Sequence, residues 1–307
     1  MITESGVIGE YYALLEKGTA ESYINQLSSF FTSDQALEDY SWLGNVPKMR
    51  EWIGGRHAPA LNQFSYTLRN KKFEATVDIE CDWLRRDKTG QVQMAIAQLV
   101  DEGIRNWEDL LSTIIKDGQL NDCYDGKKFF ATDHSQYNLL TATEVPALSV
   151  TDPTKPTVTE AIDAILGAIA YMMTYTDDQS RLMNSSAKSF TIVSSPKLWP
   201  YLVHATVGEI AQGGASNVIA ELKKNGWNVE VVPNGQLTYT TEFDVFRTDG
   251  RVKALIRQEE DLGASSLTKK AEGSDYEHDT DRHQYGVKKS RNVGYGLWQY
   301  ACHCTMS

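Results

Sequence analysis

The sequence predicts an α+β fold, because helical and strand-like hydrophobic patterns are interleaved along the chain without a regular strand–helix–strand rhythm. The clearest helical pattern places apolar residues three and four positions apart from 91 to 116. The clearest strand patterns alternate apolar and polar residues at 64–68 and 73–79. A chain of 307 residues, 41% of them apolar, is long enough to bury a large core without disulfides.

Composition and charge exclude several classes of protein. The 41 acidic residues outnumber the 30 basic ones and give a formal charge of −11, which argues against a large surface for gripping duplex DNA. No apolar run approaches the roughly 20 residues that cross a bilayer. The N-terminus lacks the basic and apolar regions of a secretory signal. We therefore expect a soluble protein with no membrane partner.

The cysteines predict a reducing compartment. They are four in number and irregularly spaced, which does not fit a disulfide framework: Cys81, Cys123, Cys302 and Cys304. This usage is typical of a cytoplasmic protein.

The first forty residues are interpreted as an arm. Two short amphipathic helical patterns are interrupted at Gly18 and Thr19, and helices this short need another surface to lie against. Trp42 and Trp52 then bracket a segment with neither helical nor strand periodicity. Because large aromatic residues in irregular segments need a covering surface, and tryptophan is enriched at the centres of protein contacts, this segment predicts an interface.

The two alternating patterns predict a β-hairpin with a basic tip. The tip is the compact cluster Arg69, Asn70, Lys71 and Lys72. It is compatible with a solvated turn or with a docking surface for an acidic partner. An isolated hairpin is barely stable in water, so another part of this chain or another chain must cover one face.

The long helical pattern predicts a helix from about Gln91 to Lys116, ended by Gly118. At 1.5 Å per residue it would be roughly 39 Å long. Thr157 and Glu160 form a capping box that begins a second helix. The second half of the chain predicts strands at 190–193, 229–233, 245–246 and 252–256, helices at 196–210 and 218–224, and a terminal strand within 293–302. The polar stretch 259–291 predicts a long loop or extended pairing segment outside the core.

The C-terminal Cys302, His303 and Cys304 combine residue types that bind zinc. A structural zinc site needs four ligands, and a strand would place His303 on the face opposite the two cysteines. The chain has no second pair with C-x-x-C or H-x-x-x-H spacing. A metal site is therefore not favoured here.

Two further groups allow a catalytic and a structural interpretation. Asp133 and His134 could form an acid–base pair or bind a metal, but a turn after Asp125 is the preferred interpretation. Ser194 and Ser195 at a strand-to-helix junction lack the glycines of a nucleophile elbow and predict a helix cap. No glycine-rich phosphate-binding loop is present. The residues thus predict no enzyme and no cofactor, and favour a protein that contacts copies of itself.

Several uncommon blocks resemble the major head subunit of Mu-like phages and prophages, the T-protein family. In chain order these blocks are WLGNVPKMREWIG at 42–54, NKKFEATV at 70–77, YDGKKFFATDH at 124–134, LIRQE at 255–259, YGV at 285–287 and GYGLWQ at 294–299. The resemblance therefore runs from about residue 40 to the C-terminus.

The resemblance implies the HK97-like capsid fold and a division of the chain into five parts. These are an N-terminal arm at 1–40, an aromatic linker and extended loop at 41–82, a peripheral domain at 83–188 with its spine helix at 91–116, an axial domain at 189–250, and a return to the peripheral domain at 251–307. Subunit contacts are expected at Trp42, Leu43, Pro47, Arg50, Trp52, Arg69, Asn70, Lys71, Lys72 and Phe73.

The implied function is that of a major capsid protein. Hexamers and pentamers of the chain would build an icosahedral shell around double-stranded DNA that is not bound sequence-specifically. A separate scaffold protein and a portal are expected partners, and a decoration protein is a further candidate. The expected location is the virion, with assembly in the host cytoplasm. The alternatives are a metal-dependent hydrolase and a non-capsid phage tail or assembly protein.

Overall fold

The computed structural model describes residues 23–40, 66–86, 91–177, 180–208, 216–262 and 267–307. Its helices are α1 (Ile24–Leu27), α2 (Cys81–Arg86), α3 (Gln91–Lys116), α4 (Val158–Met172), α5 (Trp199–Val207), α6 (Val218–Lys224) and α7 (Asp275–Thr280). Short 3₁₀ helices span Pro146–Leu148 and Trp298–Tyr300. None of the described helices is long and apolar enough to span a bilayer.

The strands of the described residues form three sheets. They are β1 (Ser28–Ser33), β2 (Leu37–Asp39), β3 (Thr67–Arg69), β4 (Lys71–Glu80), β5 (Leu139–Leu140), β6 (Ser189–Ser194), β7 (Asn228–Pro233), β8 (Glu242–Arg247), β9 (Leu255–Glu260), β10 (Leu267–Lys270), β11 (Arg282–Tyr295) and β12 (Ala301–Thr305). The first sheet has the order β1-β9-β11-β10, with β4 also paired to β11, and the second has the order β5-β12-β8-β6-β7. Strands β2 and β3 form a separate pair. Helices and sheets are mixed, as an α+β class requires.

Helix α3 has the bounds that the apolar periodicity predicts, Gln91–Lys116. A close approach explains why a glycine follows it. A Cβ atom at Gly118 would lie 2.4 Å from the ring of Phe130, which packs directly against the chain there. The predicted capping box of α4 is also confirmed. The Thr157 side chain accepts a hydrogen bond from the Glu160 backbone N–H, and the Glu160 carboxylate accepts one from the Thr157 N–H.

The predicted hairpin is wrong. Strand β3 pairs with β2, and β4 pairs antiparallel with β11 over ten residues. Asn70 is the single residue between β3 and β4, and a hairpin that returns the chain on itself needs a loop of at least two residues. The alternation of β4 correctly predicts a strand, but its partner is a distant part of the chain.

The polar stretch 259–291 is not outside the core. It contains β11, the strand of the first sheet to which β4, β9 and β10 all pair. Tyr285 and Val287 on this strand are buried. The predicted terminal strand within 293–302 is instead the end of β11, a 3₁₀ turn and the start of β12.

The chain near residue 30 also differs from its prediction. The second helical pattern of the arm forms only the four residues of α1, and the chain continues as β1, which pairs in parallel with β9. Ile24 and Leu27 are buried, so this part of the chain belongs to the body of the fold. The last predicted segment, 251–307, contributes β9 and β11 to the first sheet and β12 to the second.

The serine pair before α5 does not cap it. The residue at the cap position is Leu198, which makes no side-chain hydrogen bond to the helix. Ser194 and Ser195 are buried with hydroxyls that have no hydrogen-bond partner among the described residues. The backbone carbonyl of Ser195 accepts from the N–H of Trp199 and begins the helix.

Candidate subunit interface

Strand β4 presents two chemically different faces. Phe73, Ala75, Val77 and Ile79 alternate with exposed polar residues. The apolar residues face α3, where Ile79 packs in a small core with Leu99, Val100, Ala271, Tyr285 and Val287. This core fixes the position of α3 on one face of the first sheet.

The opposite face of the same strands is polar. In an antiparallel pair, directly opposed residues share a face, so register defines this surface. It carries Glu74 opposite Lys288 and Asp78 opposite Gln284. Glu74, Thr76 and Asp78 are exposed in the described structure. We call this surface, formed by the alternate residues Lys72 to Glu80 and their β11 partners, the outer face.

A groove of about 160 Å³ lies between α3 and the sheet. Glu102 and Asp109 of α3 line one side, and Lys289 of β11 lines the other. The side-chain oxygen of Asn106 is buried in this groove and has no hydrogen-bond partner among the described residues. A buried acceptor without a donor is unfavourable, so the groove is suited to a polar group from outside the described residues.

Trp107 holds α3 to the sheet through two arginines. The guanidinium of Arg291 lies 4.6 Å from its ring centroid and that of Arg257 lies 5.3 Å away. Arg291 also donates to the Gly103 carbonyl at 3.0 Å. Burial and the nearby charge of Arg291 lower the pKa of Arg257 to about 10, and Glu259 opposes this shift. Arg257 therefore stays charged at neutral pH. These stacked charges stabilise the junction of helix and sheet.

The structure separates the predicted contact residues into three groups. Trp42, Leu43, Pro47, Arg50 and Trp52 lie outside the described residues. Arg69, Lys71 and Lys72 are exposed around the junction of β3 and β4. Asn70 and Phe73 make contacts within their own chain.

The contacts of Asn70 and Phe73 explain that role. Asn70 donates to the Gln35 carbonyl at 3.1 Å and accepts from the Gln258 side chain at 2.9 Å. Phe73 is half-buried and lines the groove beside α3. The exposed side chains of Arg69, Lys71 and Lys72 therefore project from a junction that contacts within the chain hold in position.

His134 is a structural residue. Its Nδ1 lies 3.0 Å from Asp125, and its ring stacks on Trp298 at 4.2 Å between centroids. Burial raises the pKa of Asp125, but its hydrogen bond with His134 and further contacts outweigh burial and lower that pKa. Asp133 is exposed and is not the partner of His134. The turn interpretation therefore fits better than an Asp133–His134 catalytic pair.

The C-terminal cysteines and histidine also have structural surroundings. The sulfurs of Cys302 and Cys304 lie 3.6 Å apart on one face of β12. His303 faces the other way, with Nδ1 at 2.7 Å from Asp244. Burial lowers the pKa of His303, but Asp244 and Glu242 outweigh it and raise that pKa. The three residues do not converge on one point.

Sequence reasoning missed most of the outer face, because the stretch that contains β11 was interpreted as a long loop or extended pairing segment outside the core. A signal was present: Tyr285 and Val287 alternate with polar neighbours, as in a strand covered on one face. The arginines around Trp107 were also missed. Arg257 and Arg291 lie in segments whose contact with a tryptophan is set by the tertiary fold.

Comparison with known proteins identifies the family. A family model described as Mu-like prophage major head subunit gpT matches residues 6–161 and 221–306. The major capsid protein of Escherichia phage Mu is 30% identical over 118 residues, which cover 38% of this chain and 39% of that protein. The FluMu major head subunit of Haemophilus influenzae is 31% identical over 115 residues, 38% of this chain and 37% of that protein. These alignments span about two fifths of each curated relative.

Solved structures share the fold. A procapsid of bacteriophage JBD30 has a TM-score of 0.53 at 21% identity, covering 99% of this chain and 75% of that one. The mature capsid of bacteriophage PhiM1 has a TM-score of 0.54 at 15% identity, covering 93% of this chain and 87% of that one. The α+β fold is therefore the HK97-like fold of phage capsid proteins. With the family model matching most of its length, the chain belongs to the Mu-like prophage major head subunit family.

Proposed function

We propose that this chain is a major capsid protein that assembles with copies of itself into a phage head. Hexamers and pentamers of the chain form an icosahedral shell that encloses double-stranded DNA. The observation that carries the proposal is family membership over residues 6–161 and 221–306. It favours a head subunit over a metal-dependent hydrolase and over a non-capsid tail or assembly protein.

The described surfaces support a specific contact between neighbouring subunits. Arg69, Lys71 and Lys72 are exposed around the junction of β3 and β4 and meet the acidic, exposed side of α3 in the next subunit. That side carries Asp101, Glu102 and Asp109, with Arg105 paired to Glu102. Opposite charges across an interface orient the partners more than they add affinity.

The groove beside α3 supplies a further place for the neighbour. Its buried Asn106 oxygen accepts a donor from the incoming chain, and its rim is acidic on the α3 side. The segment that contains Trp42 and Trp52 adds aromatic area to the same interface. Permanent interfaces bury on the order of 2,000 Å² or more, so these contacts act together.

The net charge of −11 suits a container for DNA. A negative wall repels the packaged nucleic acid and does not grip it. Because the same charge recurs on every copy, subunits repel one another at low ionic strength. We expect shell assembly to increase with salt until the attractive ion pairs are screened as well.

Other components complete this proposal. A separate scaffold protein and a portal act during assembly in the host cytoplasm, and a decoration protein binds the outside of the shell. The finished protein resides in the virion. Co-expression with candidate scaffold, portal and decoration proteins followed by mass spectrometry of purified particles tests each of these partners.

Electron microscopy of the purified, expressed chain tests the main proposal. We expect closed shells, tubes or capsomers, because a contact between two different surfaces of the same chain repeats from subunit to subunit and closes into rings or continues as a larger assembly. A monomer that stays monodisperse across protein and salt concentration would contradict it.

Charge reversal tests the basic contact. The double variant Lys71→Glu and Lys72→Glu should lose shells and capsomers while the monomer keeps its melting temperature, since exposed charges contribute little to folding. Lys155→Glu with Lys188→Glu is the matched control, because both lysines are exposed and lie away from β4. Normal shells from the first variant would contradict the contact.

A further inference from the structure

Three residues with metal-binding side chains converge at one end of the first sheet. Cys81 begins α2 directly after β4, Glu277 lies in α7, and His283 lies near the start of β11. One ligand atom from each side chain lies within 4.8 Å of the other two. Cys81 is buried and the other two are half-buried, so the cluster is shielded from bulk solvent without being closed to it.

The backbone holds these three residues in place. His283 pairs with Ile79 across the β4–β11 ladder, which brings the start of β11 to the end of β4. The Cys81 N–H donates to the Asp281 carbonyl at 3.1 Å. Asp281 has φ +52°, in the left-handed region, and turns the chain from α7 into β11. The cluster is thus formed by strand pairing and a tight turn.

The separations fit a tetrahedral ion. Ligand atoms about 2.0–2.3 Å from zinc lie roughly 3.3–3.8 Å from one another. The Cys81 sulfur lies 3.7 Å from Glu277 Oε1, and His283 Nε2 lies 3.1 Å from the same oxygen. Small side-chain rotations bring all three into that range.

Of the three side chains, His283 is the least satisfied, whereas Glu277 also accepts a hydrogen bond from the Gly273 N–H at 2.7 Å. Neither ring nitrogen of His283 makes a well-directed hydrogen bond among the described residues, although Nε2 is near Glu277. Both nitrogens are buried atoms, and leaving such groups unsatisfied is costly. A cation at the centre of the cluster would satisfy one of these two nitrogens.

We propose that Cys81, Glu277 and His283 bind one zinc ion per chain. A thiolate, an imidazole and a carboxylate are together typical of zinc, whereas magnesium and calcium prefer oxygen ligands alone. These three side chains leave the fourth tetrahedral position of the ion to a water molecule. On binding, the thiol proton leaves to solvent and the sulfur–zinc bond forms. The ion fastens β4, α7 and β11 together at the end of the sheet.

The first experiment measures zinc on the full-length chain. The protein is stripped with a chelator, incubated with zinc, dialysed and analysed by inductively coupled plasma mass spectrometry. We expect one zinc per chain and a higher melting temperature with zinc than with chelator, because a ligand that binds the folded state stabilises it. Failure to retain zinc would overturn the proposal.

Variants then locate the ion. Cys81→Ser, His283→Ala and the shape-preserving Glu277→Gln should each weaken zinc binding by at least the roughly 10- to 100-fold that loss of a supporting contact costs. His278→Ala is the matched control, because His278 lies on the same α7 helix with its side chain 90% exposed. Equal zinc binding by His283→Ala and the control would overturn the assignment.

Cobalt substitution keeps the test valid if a variant fails to fold. Wild-type protein with Co²⁺ should show a thiolate-to-cobalt charge-transfer band. That band should persist in the double variant Cys302→Ser and Cys304→Ser, which removes the other sulfur pair. Loss of the band in this double variant, with the fold retained, would assign the ion to β12 and contradict the proposal.

Discussion

The two five-stranded sheets differ in how completely they are covered. In the second sheet, β6 and β8 are buried at nearly every position, so both of their faces lie inside the protein. In the first sheet, β4 alternates between exposed and covered residues, because α3 packs on one face only. A sheet covered on both faces reads as a continuous apolar run, and one covered on a single face alternates.

The two regions therefore have different roles in the subunit. The second sheet and α4 form a large core that needs no partner to be buried. The part of the first sheet around β4 has a small core of six buried residues, a groove and a polar outer face, while the ends of β9 and β11 join the large core. Its incompleteness is what an assembling subunit requires, since a surface completed within one chain would have nothing to offer a neighbour.

Core truncations give the largest expected effect. Phe246 is fully buried in the second sheet, and Phe246→Ala should lower the free energy of unfolding by about 3–5 kcal/mol. Leu99 is 9% exposed beside the groove, and Leu99→Ala should cost about 2 kcal/mol, because water and side chains can enter the space left behind. Urea unfolding of unassembled subunits measures both. Equal losses of unfolding free energy in the two variants would contradict the difference in packing between the two sheets.

The buried pair formed by Asp244 and His303 in the second sheet gives an intermediate expected effect on stability. Asp244→Asn should cost about 1.5–3 kcal/mol, because it weakens a hydrogen bond to a charged group. The folded-state pKa of His303 is raised above its ordinary 6.5. Stability from charged His303 is therefore fully present below pH 6.5 and is lost as pH rises through the folded-state pKa.

Unfolding measured from pH 5 to 9 checks this sign. His303→Gln should remove the loss of stability on the alkaline side that the wild-type pair produces. A variant with the same pH profile as the wild type would show that His303 is not the titrating group.

The cap of α4 gives the smallest effect. Thr157→Ala should cost about 1 kcal/mol, because it removes the acceptor for the Glu160 N–H. Thr159→Ala is the control, since Thr159 is exposed in the same first turn. Thermal melts of the two variants compare them directly. The loss of stability in Thr157→Ala relative to Thr159→Ala can be set beside the loss in Phe246→Ala relative to Leu99→Ala. If the first difference is smaller, packing contributes more than capping to the stability of the second region.

Local signals in the sequence predicted local structure well. The bounds of α3 followed from a long apolar periodicity, and the start of α4 followed from two residues three apart. Strand β7 was predicted to within one residue, and β6 to within one at each end. These features depend on neighbours in sequence.

Features that depend on distant neighbours could not be predicted in this way. The alternation of β4 does not reveal that β11 is its partner. The sequence of β11 looks polar because it contains charged residues whose side chains nevertheless face inward. Lys289 forms an ion pair with Glu259, and the Arg291 guanidinium lies over the Trp107 ring. The Cys81, Glu277 and His283 cluster has no local motif, because its members come from three elements. The expected interface at residues 42–52 was inferred from its tryptophans and from family resemblance, and these residues lie outside what the structure describes.

The long ladder between β4 and β11 has a mechanical consequence. Ten residues of β4 are paired in continuous antiparallel register, so a force along the strands loads many backbone hydrogen bonds at the same time. A force across the strands would break those bonds one after another. The ladder is therefore strong against stretching along its length and weak against peeling. In a pressurised shell, a subunit whose neighbours pull along this axis would resist rupture without any additional bond.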